Sequence, residues 1–306
     1  MGVVEKVFYI RDFDFDLKDR IIMITGANSG IGKYTSIELA KMGAQIIMMC
    51  RNKERGEEAL KEIKKESNSQ KVDLFLADLS DQESLRTMVK KFKQQYDQLH
   101  VLINNAGAVI FERQTTEVGY EMTFAVNYLG HFLLTHLLLD YLIQSAPSRI
   151  INVSSMVHRY AKLDLDNIHL KKNYKYLKAY SNSKLALILF TYKLARKLEG
   201  KDLTVNALHP GVVRSNLGMR DIKWYMKPFY YLGRLFMKSS HKGAETSVYL
   251  AGSPEVQDDS EKYFVKCEPK KSSKKSYNRK LQDKLWNLSK KMTEIENFVE
   301  ENPDYP

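Results

Sequence analysis

Two tyrosines in this chain are followed by a lysine four residues on: Tyr174 by Lys178, and Tyr180 by Lys184. At that spacing both side chains lie on one face of a helix, so the ammonium favours the phenolate of a group whose free pKa is about 10. Lowering that pKa by two or three units corresponds to about 3 to 4 kcal/mol. A pair of this kind can give or take a proton at an oxygen at neutral pH while hydride moves at the neighbouring carbon. Tyr180 leads straight into the apolar run LALILFTYKLARKL, which would fix both groups on a buried element, whereas Tyr174 lies in the lysine-rich NYKYLK and is expected in solvent. Upstream, Val153-Ser154-Ser155 offers a hydroxyl to share charge on a substrate oxygen. Adjacent side chains on a strand point to opposite faces, so the residues themselves leave Ser154 and Ser155 open.

A second cluster is Thr25-Gly26-Ala27-Asn28-Ser29-Gly30-Ile31-Gly32. Glycines there allow a sharp turn and close approach of a ligand, and a following helix offers unpaired N–H groups and partial positive charge to a pyrophosphate. At Met49-Cys50-Arg51-Asn52 no carboxylate follows until Glu54, so Arg51 presents a fork suited to a ribose 2′-phosphate, with Lys33 a weaker second contact. His131 and His136 lack a partner spacing and read as core or surface histidines, and no metal site is expected.

Short apolar runs alternate with stretches of helical period, the pattern of βαβ units and a parallel sheet. Strands are predicted at 21–25, 45–50, 72–77, 100–105, 149–154 and 203–209, with a weaker seventh at 262–265. Helices are predicted near 30–42, 52–67, 81–96 (Asp81 in its first turn), 116–143 and 178–199. The fold expected is α/β, a Rossmann-type doubly wound parallel sheet of about seven strands with helices on both faces, in one domain over 1–306. Ligands then belong at the carboxyl ends of the strands.

The 306 residues are 43% hydrophobic, enough for a sizeable core, and the two cysteines, Cys50 and Cys267, are too few for a disulfide scaffold. The N-terminal MGVVEKVFYIRDFDFDLKDR mixes charge with apolar residues, unlike a signal peptide or spanning helix, so a cytoplasmic location is expected, with peripheral membrane contact left open. Net charge is +11, densest over a lysine-rich helical tail at about 266–306 that reads as solvated; no nucleic-acid motif accompanies it.

Taken in order, these motifs resemble the short-chain dehydrogenase/reductase family: Gly-x-x-x-Gly-x-Gly after Thr25, Asn104-Asn105-Ala106-Gly107 like its NNAG element, Tyr180-x-x-Ser183-Lys184, and His209-Pro210-Gly211-Val212-Val213-Arg214-Ser215 like its PGxxxT segment with serine for threonine. The resemblance implies cofactor contacts at Gly26, Asn28, Ser29, Gly30, Ile31 and Gly32, at Asp78 and Leu79 beside the adenine, and at Asn105, Ala106 and Gly107. It adds Pro210, Gly211, Val213 and Ser215 at the nicotinamide, besides Arg51, Tyr180 and Lys184. It selects Ser155 over Ser154, favours Tyr180 over Tyr174, and makes Asn127 the anchor of a water chain to the lysine.

NNAGAVIFERQTTEVGYEMTFAVNYLGHFLLT, AYSNSKLALILFTYKLARKL, LHPGVVRSNL and KGAETSVYLAGSPEV narrow the resemblance to the retinol-dehydrogenase-like branch, many of whose animal members begin with a membrane-anchoring helix that this N-terminus does not match. The implied activity is NADP(H)-dependent interconversion of a lipophilic alcohol and its aldehyde or ketone. A segment at about 216–240, with Trp224 and Phe229, stands where the family builds its substrate lid, and a homo-oligomer is an open option. The alternatives are a nucleotide-binding regulatory protein without turnover, or a reductase of a different apolar double bond.

Overall fold

The computed structural model describes residues 13–213 and 239–296. Successive side chains in the strands point to opposite faces, and in β1, β2, β4 and β5 both faces carry apolar residues and are buried. Ile22, Ile24, Ile46 and Met48 enter one core, while Met23, Ile47 and Met49 enter the other.

The elements are β1 (Ile21–Thr25), α1 (Gly30–Lys41), β2 (Gln45–Cys50), α2 (Lys53–Ser67), β3 (Val72–Leu76), α3 (Gln82–Gln95) and β4 (Val101–Asn104). Next come α4 (Met122–Phe124), a π turn at Ala125–Leu129, α5 (Gly130–Gln144), β5 (Ser148–Val153), α6 (Tyr176–Lys197) and β6 (Leu203–His209). The remainder holds α7 (Ser240–Gly252), β7 (Tyr263–Val265), β8 (Glu268–Lys270) and α8 (Arg279–Met292). The sheet order is β3-β2-β1-β4-β5-β6-β7-β8. Among the described strands, β8 alone runs antiparallel, on β7. The order reverses direction between β1 and β4, which opens a crevice at their carboxyl ends.

Three boundaries differ from expectation for identifiable reasons. β8 was not predicted: it is three exposed residues, Glu-Pro-Lys, with no apolar period, and proline is tolerated there because the strand lies at a sheet edge. The long central helix starts at Met122, not 116, because Gly119 turns the chain at φ +83° and Glu121 caps the helix through the Thr123 and Phe124 N–H groups. Asp81 caps α3 from outside instead of sitting in its first turn.

The run Met122–Gln144 is long and apolar enough to cross a membrane by length and composition, yet 78% of its apolar window is buried against the fold. Of the lysine-rich tail, α8 has one face in the core: Leu285, Trp286 and Met292 are buried while Lys280, Lys284 and Lys291 are exposed. The expected lid up to residue 238, with Trp224 and Phe229, lies outside the described residues.

Candidate active site

α6 carries Tyr180 and Lys184 one turn apart, and β5 ends in Val153 directly before Ser154 and Ser155. Ser155 stands near the Tyr180 phenol and favours its ionised form. The Ser154 hydroxyl is committed to the Lys184 carbonyl, to which it donates at 2.8 Å. The Lys184 ammonium donates to the Val153 carbonyl at 2.8 Å and stands 5.8 Å from the centre of the Tyr180 ring. Ser155 and Tyr180 are partly exposed, whereas Lys184 and Asn127 are buried.

The electrostatics differ from the sequence expectation. Burial pushes the Tyr180 phenol up to about 12, opposed by the nearby Ser155, and burial pulls Lys184 down to about 8. Desolvation, which disfavours both charged forms, outweighs the influence of a lysine whose ammonium is turned to a backbone carbonyl. Tyr180 is thus held as a neutral phenol.

Tyr174 is not the solvated residue expected: it is half-buried, and its hydroxyl donates to the Ile110 carbonyl at 2.5 Å.

Asn127 sits in the π turn and clamps the loop after β4. It accepts from the Ala108 N–H at 2.6 Å, and its amide donates to the Ala108 carbonyl at 2.9 Å and to Ser183 at 3.0 Å. Asn105 and Ala106 both donate their N–H groups to the Thr25 hydroxyl at 2.9 Å, which fastens that loop to the end of β1.

The glycine segment fits a dinucleotide phosphate. A Cβ on Gly32 would stand 2.5 Å from both the Gly26 carbonyl and the Asn105 amide, while Gly30 at φ +55° has nothing nearer than Ser240 at 4.0 Å. The Ser29 side chain makes no cap bond to the N-terminus of α1, whose first turn holds no acidic residue. Neither a cap bond nor an acidic side chain there offsets the partial positive charge of those N–H groups. Leu79 packs where Gly130 opens α5, a Cβ at Gly130 falling 2.2 Å from the Leu79 carbonyl. Pro210 and Gly211 follow β6, with Gly211 at φ +92°, and Val213 rests on Gly243 of α7. Ser215 lies outside the described residues.

At the end of β2, Arg51 is exposed as predicted but not alone: it forms a 3.2 Å ion pair with Asp78, whose other oxygen accepts from Ser80. Lys33 is paired with Glu62 at 2.5 Å. Among the described residues no group of three or more His, Cys, Asp or Glu side chains is placed to hold a metal ion.

Residues 20–225 match the model of the short chain dehydrogenase family. The chain belongs to that family. This dehydrogenase is similar to human retinol dehydrogenase 14, at 42% identity over 288 residues covering 89% of this chain and 86% of that protein. It is also similar to bovine retinol dehydrogenase 12, at 41% over 276 residues covering 90% and 87%, which places it in the retinol-dehydrogenase-like branch. Among solved structures, an uncharacterised protein from Mycobacterium paratuberculosis superposes with a TM-score of 0.74 at 30% identity, covering 92% of this chain and 96% of that one. A short-chain dehydrogenase from Escherichia coli CFT073 complexed with NADPH superposes with a TM-score of 0.66 at 25% identity, covering 82% and 98%. A contact that the sequence did not reveal lies beside these residues: Thr25 and His131 meet at 2.9 Å. The signal was present in the spacing, since His131 follows Asn127 by four residues and shares its helix face.

Proposed function

We propose that this oxidoreductase interconverts a lipophilic alcohol and its aldehyde or ketone with NADP(H), and that Tyr180 is its acid and base. The observation that carries the reading is Tyr180 and Lys184 one turn apart on α6 at the carboxyl end of β5, with the Lys184 ammonium on the Val153 carbonyl and 5.8 Å from the Tyr180 ring. The names of the relatives, retinol dehydrogenases, support a lipophilic substrate. The NADPH held by the E. coli structure supports the cofactor.

When bound, the nicotinamide cofactor supplies or accepts the hydride. Gly26, Asn28, Ser29, Gly30, Ile31 and Gly32 hold its pyrophosphate at the start of α1, and Asp78 and Leu79 border its adenine. Asn105, Ala106 and Gly107 would line its middle, Pro210, Gly211 and Val213 its nicotinamide end, and Arg51 its 2′-phosphate. Ser155 donates a hydrogen bond to the substrate oxygen and shares the charge that develops there. Tyr180, held as a neutral phenol, delivers its proton to that oxygen in the reductive direction and takes one back in the oxidative direction. Lys184 stabilises the phenolate left behind, and Asn127 fixes the loop that borders the site.

Tyr180→Phe tests the assignment with NADPH and a ten-carbon aldehyde. The expected result is loss of turnover with NADPH binding retained, because the phenolic proton acts on the substrate. A variant that keeps more than about a tenth of the wild-type kcat, a deficit of only about 1.4 kcal/mol, overturns it.

A further inference from the structure

His131 is fully buried on α5, and both of its ring nitrogens are engaged. Nδ1 lies 3.0 Å from the carbonyl of Asn127, and Nε2 lies 2.9 Å from the hydroxyl of Thr25. A carbonyl oxygen only accepts, so Nδ1 carries a hydrogen. The Thr25 hydroxyl has one hydrogen and two lone pairs. The N–H groups of Asn105 and Ala106 both point at that oxygen, and of the two acceptors within its reach, Nε2 at 2.9 Å and the Ile103 carbonyl at 3.5 Å, its hydrogen goes to the nearer, Nε2, which carries none. The imidazole is therefore the neutral Nδ1–H tautomer. A second proton would aim an N–H at an oxygen that already accepts from two N–H groups. Burial, with Lys184 nearby, keeps the ring neutral down to about 3, in agreement with that geometry. A ring that cannot gain a proton is a strut and not a relay.

What the strut joins gives it a role. On one side Thr25 closes β1 and fastens the loop of Asn105 and Ala106 beside the glycine cradle. On the other, Asn127 lies in the π turn, where the Gly130 N–H reaches back five residues to Ala125; such turns are frequent at functional sites. From there Asn127 holds Ala108 and, through Ser183, the catalytic helix α6. Resting on the proposed dehydrogenase reading, we propose that His131 is a positioning residue. Its Nε2 contact with Thr25 sets the cofactor loop, and its Nδ1–H contact with Asn127 sets the π turn against α6, so that one ring keeps the two halves of the site in register.

The two nitrogens can be separated by substitution, because an asparagine amide stands near the Nδ1 position and a glutamine amide near Nε2. NADPH affinity by fluorescence titration and kcat with NADPH and decanal are measured for His131→Asn, His131→Gln and His131→Leu. His131→Asn should weaken NADPH about tenfold and leave kcat within about threefold. His131→Gln should leave NADPH within about threefold and lower kcat about tenfold. His131→Leu should lose both. Equal losses in the Asn and Gln variants, tracking their loss of Tm, would mean that the ring merely fills space, and the proposal fails. If no His131 variant folds, Thr25 decides: Thr25→Ser should keep the wild-type affinity and Thr25→Val should lose it, and an unchanged Thr25→Val overturns the proposal. The tautomer is read independently of activity, from the 15N resonances of the His131 ring at pH 7. A doubly protonated or Nε2–H ring sinks the inference even in an active enzyme. A wild-type protein that shows the Nδ1–H ring but neither binds NADPH nor reduces decanal refutes the proposed function instead.

Discussion

Lys184 is the residue through which pH should reach the reaction. Its ammonium is held near 8 in the folded protein against 10.5 in the open chain, and its positive charge is what steadies the phenolate. As pH rises through about 8 that charge is lost, so kcat/KM for aldehyde reduction should be level below this value and fall above it. The same shift fixes a sign for stability. Between about 8 and 10.5 the unfolded chain binds the proton that the folded one has released, so stability rises with pH across that window. Lys184→Met should remove the alkaline limb along with most of the rate, and should flatten the rise in Tm between pH 7 and 10. A limb that persists in the variant would assign the titration elsewhere.

Arg51 and Asp78 carry the cofactor preference. A charge-assisted contact to a 2′-phosphate is worth roughly a tenfold to hundredfold advantage, but the neighbouring carboxylate at 3.2 Å opposes it. NADPH should be favoured over NADH in kcat/KM at fixed ionic strength, Arg51→Ala should bring the ratio near one, and Asp78→Asn should raise it. An unmodified enzyme indifferent between the cofactors would show that Arg51 serves only Asp78. The pairing was not legible in the sequence, because 27 residues separate the partners and only the β2–β3 register brings their ends together. The Tyr180 and Lys184 pair was legible, because helical spacing is local. The direction in which burial moves their protons was not.

At the scale of elements, the strands of the parallel sheet were readable because each is a short apolar run, and β1, β2, β4 and β5 are buried on both faces. The edges of that pattern were not: β8 has no period, and the first turn of the central helix is displaced by a glycine turn and a glutamate cap. α8 shows the most consequential difference. Its lysines suggested a solvated tail, yet Trp286 packs edge-on to Phe132 and stacks on Phe190, with centroids at 5.4 and 6.0 Å. Lys197 lies over the same indole at 5.7 Å. Trp286→Ala should therefore cost about 3 to 5 kcal/mol and lower Tm by several degrees, while Lys284→Ala on the exposed face should change stability by less than about 0.5 kcal/mol. Equal effects from the two would mean that α8 does not complete the core.

Across the whole molecule, α8 is stitched to distant parts of the chain. Gln82 and Arg86 of α3 donate to the carbonyls of Met292 and Thr293, Tyr120 also reaches Met292, and Tyr128 meets Ser289. The Gln82 contact spans 210 residues. During synthesis at about 5 to 20 residues per second, its two ends are made some 10 to 40 seconds apart. Until α8 is made, the ring faces of Phe132 and Phe190 that Trp286 covers stay open, and exposed apolar surface of this kind favours aggregation over folding. A chain ended after Asn278 would stay at that stage permanently. It should accumulate as dye-binding, largely insoluble material, whereas supplying residues 279–296 as a separate peptide during refolding should restore soluble protein. Recovery of a soluble, cooperatively melting truncated chain would show instead that the sheet and its other helices close without the last helix to be made.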